Sequence, residues 1–159
     1  MKNLILFIAL ISTSAIIAQD YPKSLPEFEI WNQNNEKFSQ DDVSTESYSY
    51  FVYFNPTCRH CQTAFKTLNL HVDKLKNARV KLYPVSTKGQ KETLEFFKGF
   101  APKLLDLSNI QILLEDDYKF ADVFFVGSYP TAYLYDKQHK LIKVYKGEGE
   151  IMGFLDEIK

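Results

Sequence analysis

The chain has 159 residues, of which 45% are hydrophobic and 25% are charged, and its net charge at pH 7 is −1. This length suits one domain with a sizeable core, and it is too short for two ordinary domains. A near-neutral chain lacks the clustered basic face that phosphate binding requires, so composition and charge argue against a nucleic-acid partner.

The N-terminal segment has the pattern of a secretory signal peptide. An apolar run from Leu4 to Ile11 follows a short positive region, and Ala18 offers a small residue at a cleavage point. A membrane anchor needs roughly 20 apolar residues, whereas Ser12 to Ser14 interrupts this run, so an uncleaved anchor is the minor alternative. We expect residues 1–18 to be a signal peptide and residues 19–159 to form a single domain, exported to the periplasm or the extracellular space.

A small β-hairpin is predicted at residues 21–40, ahead of the main sheet. Apolar residues alternate at Phe28 and Ile30, a polar turn follows at Asn32 to Glu36, and Phe38 resumes the alternation. The two short apolar stretches should form the two strands of the hairpin, because the polar turn joins them.

The strongest strand signal directly precedes the only two cysteines of the sequence. Residues Ser49 to Phe54 are all β-branched, aromatic or hydroxylic, which suits a strand buried on both faces. Pro56 and Thr57 then end the strand. Apolar residues recur at helical spacing from Ala64 to near Asn77, so the preceding Cys58-Arg59-His60-Cys61 should lie on the first turn of a helix.

A helix start is a place where a thiol can become reactive. Unpaired N–H groups and the positive end of the helix dipole stabilise a thiolate relative to a thiol. We therefore expect Cys58 to be the nucleophile, and Cys61, one turn on, to resolve a mixed disulfide formed at Cys58. A structural disulfide is disfavoured because such a short loop removes little chain entropy. Arg59 and His60 either modulate the pKa of Cys58 through their positive charge or are simply solvated.

The rest of the chain alternates strand and helix patterns. Arg79 to Ser86 predicts a strand parallel to the first, because a helix separates the two. Pro84 cannot donate to a ladder, so we expect it at the end of that strand or at a bulge. The remaining predictions are a helix at Gln90 to Phe100, an apolar run at Ile110 to Leu114, a helical turn at Asp116 to Phe124, strands at Thr131 to Tyr135 and Leu141 to Tyr145, and a last helix at Glu150 to Ile158.

This order, βαβ, helical insertion and ββα, with CxxC after the first core strand and Tyr-Pro-Thr before the last hairpin, resembles the thioredoxin fold. More narrowly, LPEFEI, the insertion around Ile110 to Phe124 and VGSYPTAYLYDKQHKLIKVYKGEG are similar to the exported TlpA/ResA-like branch of thiol-disulfide oxidoreductases, often described as AhpC/TSA or redoxin domain proteins. The resemblance covers Leu25 to Ile158. It implies an α/β, thioredoxin-like three-layer sandwich with a central mixed sheet, an N-terminal β-hairpin and helices on both faces.

The resemblance also assigns roles to single residues. Pro130 would be a cis-proline facing the disulfide, and Tyr129 and Thr57 would contribute to substrate binding beside it. The chain departs from the family at Val52 and Ala64, where a proton-relaying acid is common. We therefore expect no nearby carboxylate to oppose thiolate formation, and a pair more oxidising than that of thioredoxin.

The activity that the resemblance implies is exchange of electrons between the CxxC pair and protein thiols or disulfides, with an unidentified redox partner. It implies no cofactor and no metal; we expect a monomer that contacts a membrane only through an electron donor. Two alternatives on the same fold stay open, a copper or other metal chaperone and a non-catalytic binding module. The CxxC spacing and the absence of a paired-histidine motif argue against metal, and the presence of both cysteines argues against a non-catalytic module.

Overall fold

The computed structural model describes residues 21–158 of the chain. Within this range seven strands form one sheet in the order β2-β1-β5-β4-β3-β6-β7. The strands are β1 (Glu29–Asn32), β2 (Lys37–Ser39), β3 (Tyr48–Phe54), β4 (Val80–Ser86), β5 (Leu113–Leu114), β6 (Thr131–Tyr135) and β7 (Leu141–Lys146). The helices are α1 (Arg59–Leu70), α2 (Val72–Asn77), α3 (Gln90–Phe100), α4 (Lys119–Val123) and α5 (Phe154–Glu157).

The strand that leads into the CxxC motif is the centre of the sheet. β3 pairs in parallel with β4 and antiparallel with β6. Its side chains alternate between the two faces: Tyr50, Val52 and Phe54 pack in one core cluster, and Phe51 and Tyr53 pack in the other. Burial on both faces explains why the strand has no polar alternation.

Helices cover both faces of the sheet. One core joins the sheet to α1, α3 and α5, and Phe65, Phe97 and Phe154 are buried in it. The opposite core is closed by α4 through Phe120 and Phe124. The predicted α/β three-layer arrangement, with a mixed sheet, an N-terminal hairpin and helices on both faces, is confirmed. The hairpin joins that sheet, since β1 also pairs antiparallel with β5.

Two helices differ from the sequence prediction. The helix after the motif does not run unbroken to Asn77, because His71, at φ −107° and ψ 25°, separates α1 from α2. The last helix, expected over Glu150 to Ile158, is only the four residues of α5. The residues before it form turns after Gly147, whose φ of +76° favours glycine.

The prediction for Pro84 was wrong. Pro84 is buried inside β4, where it is paired with Val52 of β3. Two residues earlier, Leu82 directs its amide and carbonyl to Asn109 and Gln111, away from β3. Backbone groups two residues apart in a strand point to the same side, so the nitrogen of Pro84 also points away from β3. The neighbour on that side, β5, is only two residues long. The missing amide hydrogen of Pro84 therefore removes no hydrogen bond between β3 and β4.

The predicted signal peptide, residues 1–18, lies outside the described residues. Within residues 21–158 no helix has the length and apolar character needed to cross a membrane.

Candidate active site

A tight turn carries the chain from β3 into α1. The amide of Cys58 donates to the carbonyl of Asn55 at 3.0 Å. The side-chain Oδ1 of Asn55 accepts from both the amide of Thr57 (2.9 Å) and its hydroxyl (2.8 Å). Asparagine is suited to this position because its side chain bonds to the backbone two residues on. The turn therefore fixes where the first cysteine begins the helix.

Cys58 is the N-cap of α1. Its Sγ accepts a hydrogen bond from the amide of Cys61, with 3.4 Å between nitrogen and sulfur. A sulfur in this position neutralises one of the unpaired amides at the helix start, and a thiolate accepts such a bond better than a thiol does. Cys58 is half-buried, whereas the second cysteine of the motif is buried. The structure therefore has Cys58 at the start of a helix, which is where the sequence pattern predicted it.

Cys61 is fully buried behind Cys58. Burial raises the pKa of its thiol well above the ordinary value of 9.0, and the hydrogen bond with Cys58 acts in the same direction. A buried, protonated thiol is unreactive until a base removes its proton. The two cysteines are therefore chemically unlike, and both are free thiols in the structure.

The loop before β6 faces the cysteines. The Tyr129–Pro130 peptide bond is cis, as the resemblance implied. The thiol of Cys58 points to the carbonyl oxygen of Tyr129, 3.9 Å away. The ring of Tyr129 is half-buried and stacks on Tyr53, with 5.5 Å between centroids and 14° between planes. The structure thus brings Cys58, Cys61, Tyr129 and Pro130 together.

The remaining predicted site residues lie on the outer side of the motif. Thr57 and Arg59 are exposed, and Thr57 is held by Asn55. His60 has 72% of its side chain exposed, and its Nδ1 lies 2.7 Å from Oε2 of Glu148. The sequence expectation that no carboxylate lies near the motif was therefore wrong. Glu148 follows β7, and its distance along the chain hid this contact from local patterns.

Sequence reasoning also missed two residues that shape the site from within. Asn55 was not singled out, although an asparagine before a proline is a turn signal that could have identified it. Glu115 is buried and accepts a hydrogen bond from the hydroxyl of Tyr53. A lone acid directly after the apolar run of residues 110–114 was the only local sign of it. Within the part of the chain that the structure describes, no three His, Cys, Asp or Glu side chains are grouped so that they could hold a metal ion.

A buried strand, a CxxC pair at the start of the following helix and an opposed cis-proline define a protein of the thioredoxin-like class. The chain belongs to the AhpC/TSA family, whose sequence profile matches residues 22–146. No curated protein sequence matches the chain significantly.

Solved structures share this fold over nearly their whole length. A thiol-disulfide oxidoreductase from Bacteroides fragilis has a TM-score of 0.66 at 19% identity, covering 85% of this chain and 98% of its own. The thioredoxin domain of a thiol-disulfide oxidoreductase from Bacteroides vulgatus has a TM-score of 0.67 at 14% identity, covering 88% and 98%. An exposed lipoprotein thioredoxin from Streptococcus pneumoniae has a TM-score of 0.60 at 21% identity, covering 84% and 100%. These likenesses establish the fold, and the names agree with the enzyme class that the sequence predicted.

Proposed function

We propose that this protein is an exported thiol-disulfide oxidoreductase. Its Cys58–Cys61 pair would exchange electrons with the thiols or disulfides of other proteins. The observation that carries the proposal is the position of Cys58. Its sulfur caps α1, accepts the amide hydrogen of Cys61 and faces the carbonyl of Tyr129. A structural role would not need a half-buried first cysteine beside a cis-proline loop and a second cysteine buried behind it.

The chemistry follows from the unlike surroundings of the two thiols. In the reducing direction the Cys58 thiolate attacks a substrate disulfide, one substrate sulfur leaves as a thiolate, and a mixed disulfide forms. Cys61 then loses its proton and attacks the sulfur of Cys58, which releases the second substrate sulfur and closes the Cys58–Cys61 disulfide. The oxidising direction is the reverse. Which direction prevails depends on the potential of the partner.

The substrate side of the site is the loop that carries Tyr129 and Pro130. A substrate in an extended conformation can form hydrogen bonds with exposed backbone groups of such a loop, as in strand addition. These bonds would hold the cysteine of the substrate next to Cys58. Tyr129 would supply an aromatic wall and exposed Thr57 the opposite edge, while Pro130, which is buried, would support the backbone of the loop from beneath. Arg59 lies at the helix start and would add positive charge near Cys58.

Export is part of the proposal. It is supported by the signal-peptide pattern of residues 1–18 and by the name of the Streptococcus pneumoniae neighbour, an exposed lipoprotein. In an oxidising compartment, a pair of cysteines this close together is better suited to reacting with other thiols and disulfides than to cross-linking the fold. The protein would act as a monomer, without a cofactor, and would meet a membrane only through its electron donor.

The proposal is tested by reduction of insulin disulfides in the presence of dithiothreitol. The wild-type protein should accelerate the reaction, and Cys58→Ser should abolish the acceleration. Lys98→Gln, an exposed change on α3 far along the chain from the motif, is the control and should leave the rate unchanged. Wild-type protein that neither reduces insulin nor oxidises a reduced, unfolded substrate would refute the proposal.

The same purified sample separates the enzyme from a copper chaperone. Copper is titrated against the reduced protein and against Cys61→Ser. An oxidoreductase should lose disulfide exchange in the variants without holding copper stoichiometrically. Tight binding of one copper ion per chain, combined with no effect on insulin, would favour the chaperone instead.

A further inference from the structure

A cavity of about 350 Å³ lies beside the cis-proline loop, and the exchange chemistry of the two cysteines makes no use of it. One side of the cavity is formed by α4 and by Tyr118, which precedes that helix. The other side is the loop of residues 126–129. Ligand pockets in proteins measure roughly 300 to 1,000 Å³, so a cavity of this size has room for one side chain of a bound polypeptide.

Hydrogen bonds hold the two sides of the cavity in place. The amide of Val126 donates to the carbonyl of Ala121 in α4 at 2.9 Å, which ties the loop to the helix. The hydroxyl of Thr131 in β6 donates to the carbonyl of Ser128 at 2.8 Å, which ties the loop to the sheet. The cavity is therefore preformed, and a ligand that enters it does not have to order the loop.

Two tyrosines provide its accessible aromatic walls. Tyr118 is 52% exposed, and Tyr129 is half-buried. Tyr53 lies beneath them and stacks on the ring of Tyr129, with 5.5 Å between centroids and 14° between planes. The hydroxyl of Tyr53 donates to buried Glu115, so the ring that supports Tyr129 is itself held in place. The open face of such an aromatic ring attracts a cation.

The charge at the cavity is negative. Asp122 is exposed, lines the cavity and forms no ion pair within residues 21–158. A neighbouring depression shares Asp122 and adds Glu27, which is exposed and likewise forms no ion pair in that range. Lys119 borders this depression, but it is paired with Asp117 at 2.6 Å. The negative charge of Asp122 is therefore not balanced by a neighbouring cation.

The cations of the chain itself do not occupy the cavity. Among the described residues, no lysine or arginine lines it. Three lysines elsewhere lie over aromatic rings, 5.1 to 5.2 Å from the ring centroids, but neither Tyr118 nor Tyr129 is one of those rings. Aromatic walls beside an unpaired carboxylate are suited to binding a cationic side chain from another molecule.

Tyr129 belongs both to this cavity and to the active site. Its side chain lines the cavity, and its carbonyl oxygen lies 3.9 Å from Sγ of Cys58. An extended polypeptide advances about 3.3 Å per residue. A substrate whose cysteine is held at Cys58 can therefore place a side chain in the cavity from a position only a few residues away.

We propose that the cavity binds an arginine side chain of the substrate polypeptide, located within about three residues of the substrate cysteine. A planar guanidinium stacks on aromatic rings and pairs with a carboxylate through two hydrogen bonds, so arginine fits Tyr118 and Asp122 better than other side chains do. The proposal rests on the proposed function, because it requires a substrate bound at Cys58. Tyr118 and Asp122 would then determine specificity without taking part in the exchange chemistry.

The experiment compares mixed disulfides that differ in one side chain. Cys61→Ser, which cannot resolve a mixed disulfide, is equilibrated with glutathione and a synthetic alanine-rich peptide that contains one cysteine. The peptide thiolate attacks the sulfur of Cys58 in the glutathionylated protein, the Cys58–glutathione S–S bond breaks, and glutathione leaves as a thiolate that takes up the proton lost by the peptide. Mass spectrometry of the intact protein measures the two adducts and gives the equilibrium constant.

The peptides carry arginine, its neutral analogue citrulline or norleucine at each of the three positions on either side of the cysteine. All other substitutions are made in the Cys61→Ser background, so that differences in the intrinsic reactivity of the peptide thiols cancel between variants. Asp106→Asn is the matched control. Asp106 is an exposed acid next to Leu104 and Leu107, which pack in the core on the other face of the sheet.

Arginine should be preferred over citrulline by about three- to thirtyfold, which is the combined effect of one exposed cation–π contact and one exposed ion pair. The preference should be confined to positions on one side of the cysteine, because the cavity holds a single side chain. Asp122→Asn and Tyr118→Leu should each reduce it. Tyr118→Phe keeps the aromatic face and should retain it, and Asp106→Asn should leave it unchanged.

Four results would overturn the proposal while the proposed function stands. They are equal constants for arginine and citrulline at every position, an arginine advantage of the same size at all positions, an equal loss in Asp106→Asn, and a stronger preference for norleucine than for arginine. The second and third would show a general attraction to the charged surface, and the fourth an apolar pocket. If Tyr118→Leu does not fold, Asp122→Asn decides, because it changes an exposed side chain and keeps its shape. If no peptide forms a mixed disulfide at Cys58, the proposed function itself fails.

Discussion

The imidazole Nδ1 of His60 lies 2.7 Å from Oε2 of Glu148, and this contact ties the first turn of α1 to the loop after β7. The pair is largely exposed, with 72% and 38% of the two side chains accessible. It places a negative charge beside the imidazole that the sequence analysis expected to support the Cys58 thiolate. Any positive charge on His60 is therefore partly balanced by Glu148.

Glu148→Gln should make the cysteine pair more oxidising. The variant removes the negative charge and leaves the imidazole, so the Cys58 thiolate and hence the reduced form gain stability. An exposed charge pair contributes at most about 1 kcal/mol, and 30 mV corresponds to about 1.4 kcal/mol, so the potential should rise by no more than about 20 mV. Equilibration in glutathione buffers at low ionic strength measures the change, which high salt should reduce.

The control for this change is Glu157→Gln. Glu157 is another acid in an exposed ion pair, with Lys143 at 2.9 Å, but it lies on α5. Its removal should leave the potential unchanged within error. A lower potential for Glu148→Gln would contradict this prediction. Wild-type protein at or below about −270 mV, the thioredoxin value, would refute the broader expectation of an oxidising pair.

The two cysteines should behave differently when each is replaced by serine. Cys61→Ser should accumulate mixed disulfides with substrate proteins, because Cys58 can still attack and nothing resolves the product. Cys58→Ser should trap almost nothing, since the remaining thiol is fully buried and its pKa is raised by burial. Non-reducing gels of each variant with a disulfide-containing protein measure the difference. Trapping by Cys58→Ser alone would reverse the assignment of the two roles.

Local patterns were sufficient to predict the elements that surround the motif. The run from Ser49 to Phe54 is apolar on both faces, and the structure buries it between two helical layers as β3. The helical spacing after Cys61 likewise fixed the motif at the start of α1. Both features depend on residues close together in sequence, so periodicity contains the information needed to predict them.

Contacts between distant segments could not be predicted in this way. Glu148 meets His60 across 88 positions, and Glu115 meets Tyr53 across 62. An acid in a polar segment and a lone acid after an apolar run carry no sign of their partners. The position of Pro84 was predicted wrongly for the same reason. A proline is tolerated inside β4 because the neighbouring strand, β5, is only two residues long.

Asn55 should control both the stability and the reactivity of the turn before Cys58. Asn55→Ala removes the acceptor for the amide and hydroxyl of Thr57, and such a loss should lower the free energy of unfolding by about 0.5 to 2 kcal/mol. Asn55→Asp keeps the acceptor and should retain most of the stability. Urea unfolding measures the first effect.

The aspartate variant also separates the two roles of this residue. Asn55→Asp adds a negative charge next to Cys58. The thiol of Cys58 should therefore be alkylated more slowly at neutral pH, even though the fold is kept. Iodoacetamide kinetics under conditions where wild type and variant are equally folded measure this effect. Equal stability of Asn55→Ala and wild type would show that the Thr57 contacts do not hold the turn.

The free energy of unfolding should carry the signature of the buried carboxylate of Glu115. Burial raises its pKa in the folded protein above the ordinary value of 4.5, so the folded state holds its proton to higher pH than the unfolded chain does. The stability linked to this group is therefore fully present below pH 4.5 and is lost as pH rises through the raised folded pKa. Each unit of difference corresponds to about 1.4 kcal/mol.

Glu115→Gln removes the titration, so urea unfolding should show its stability relative to wild type increasing with pH over that window. Measurements should stop near pH 8, before the raised pKa of Cys61 begins to contribute above its ordinary value of 9.0. A constant difference between wild type and Glu115→Gln from pH 4.5 to 8 would show that the carboxylate does not titrate in this range.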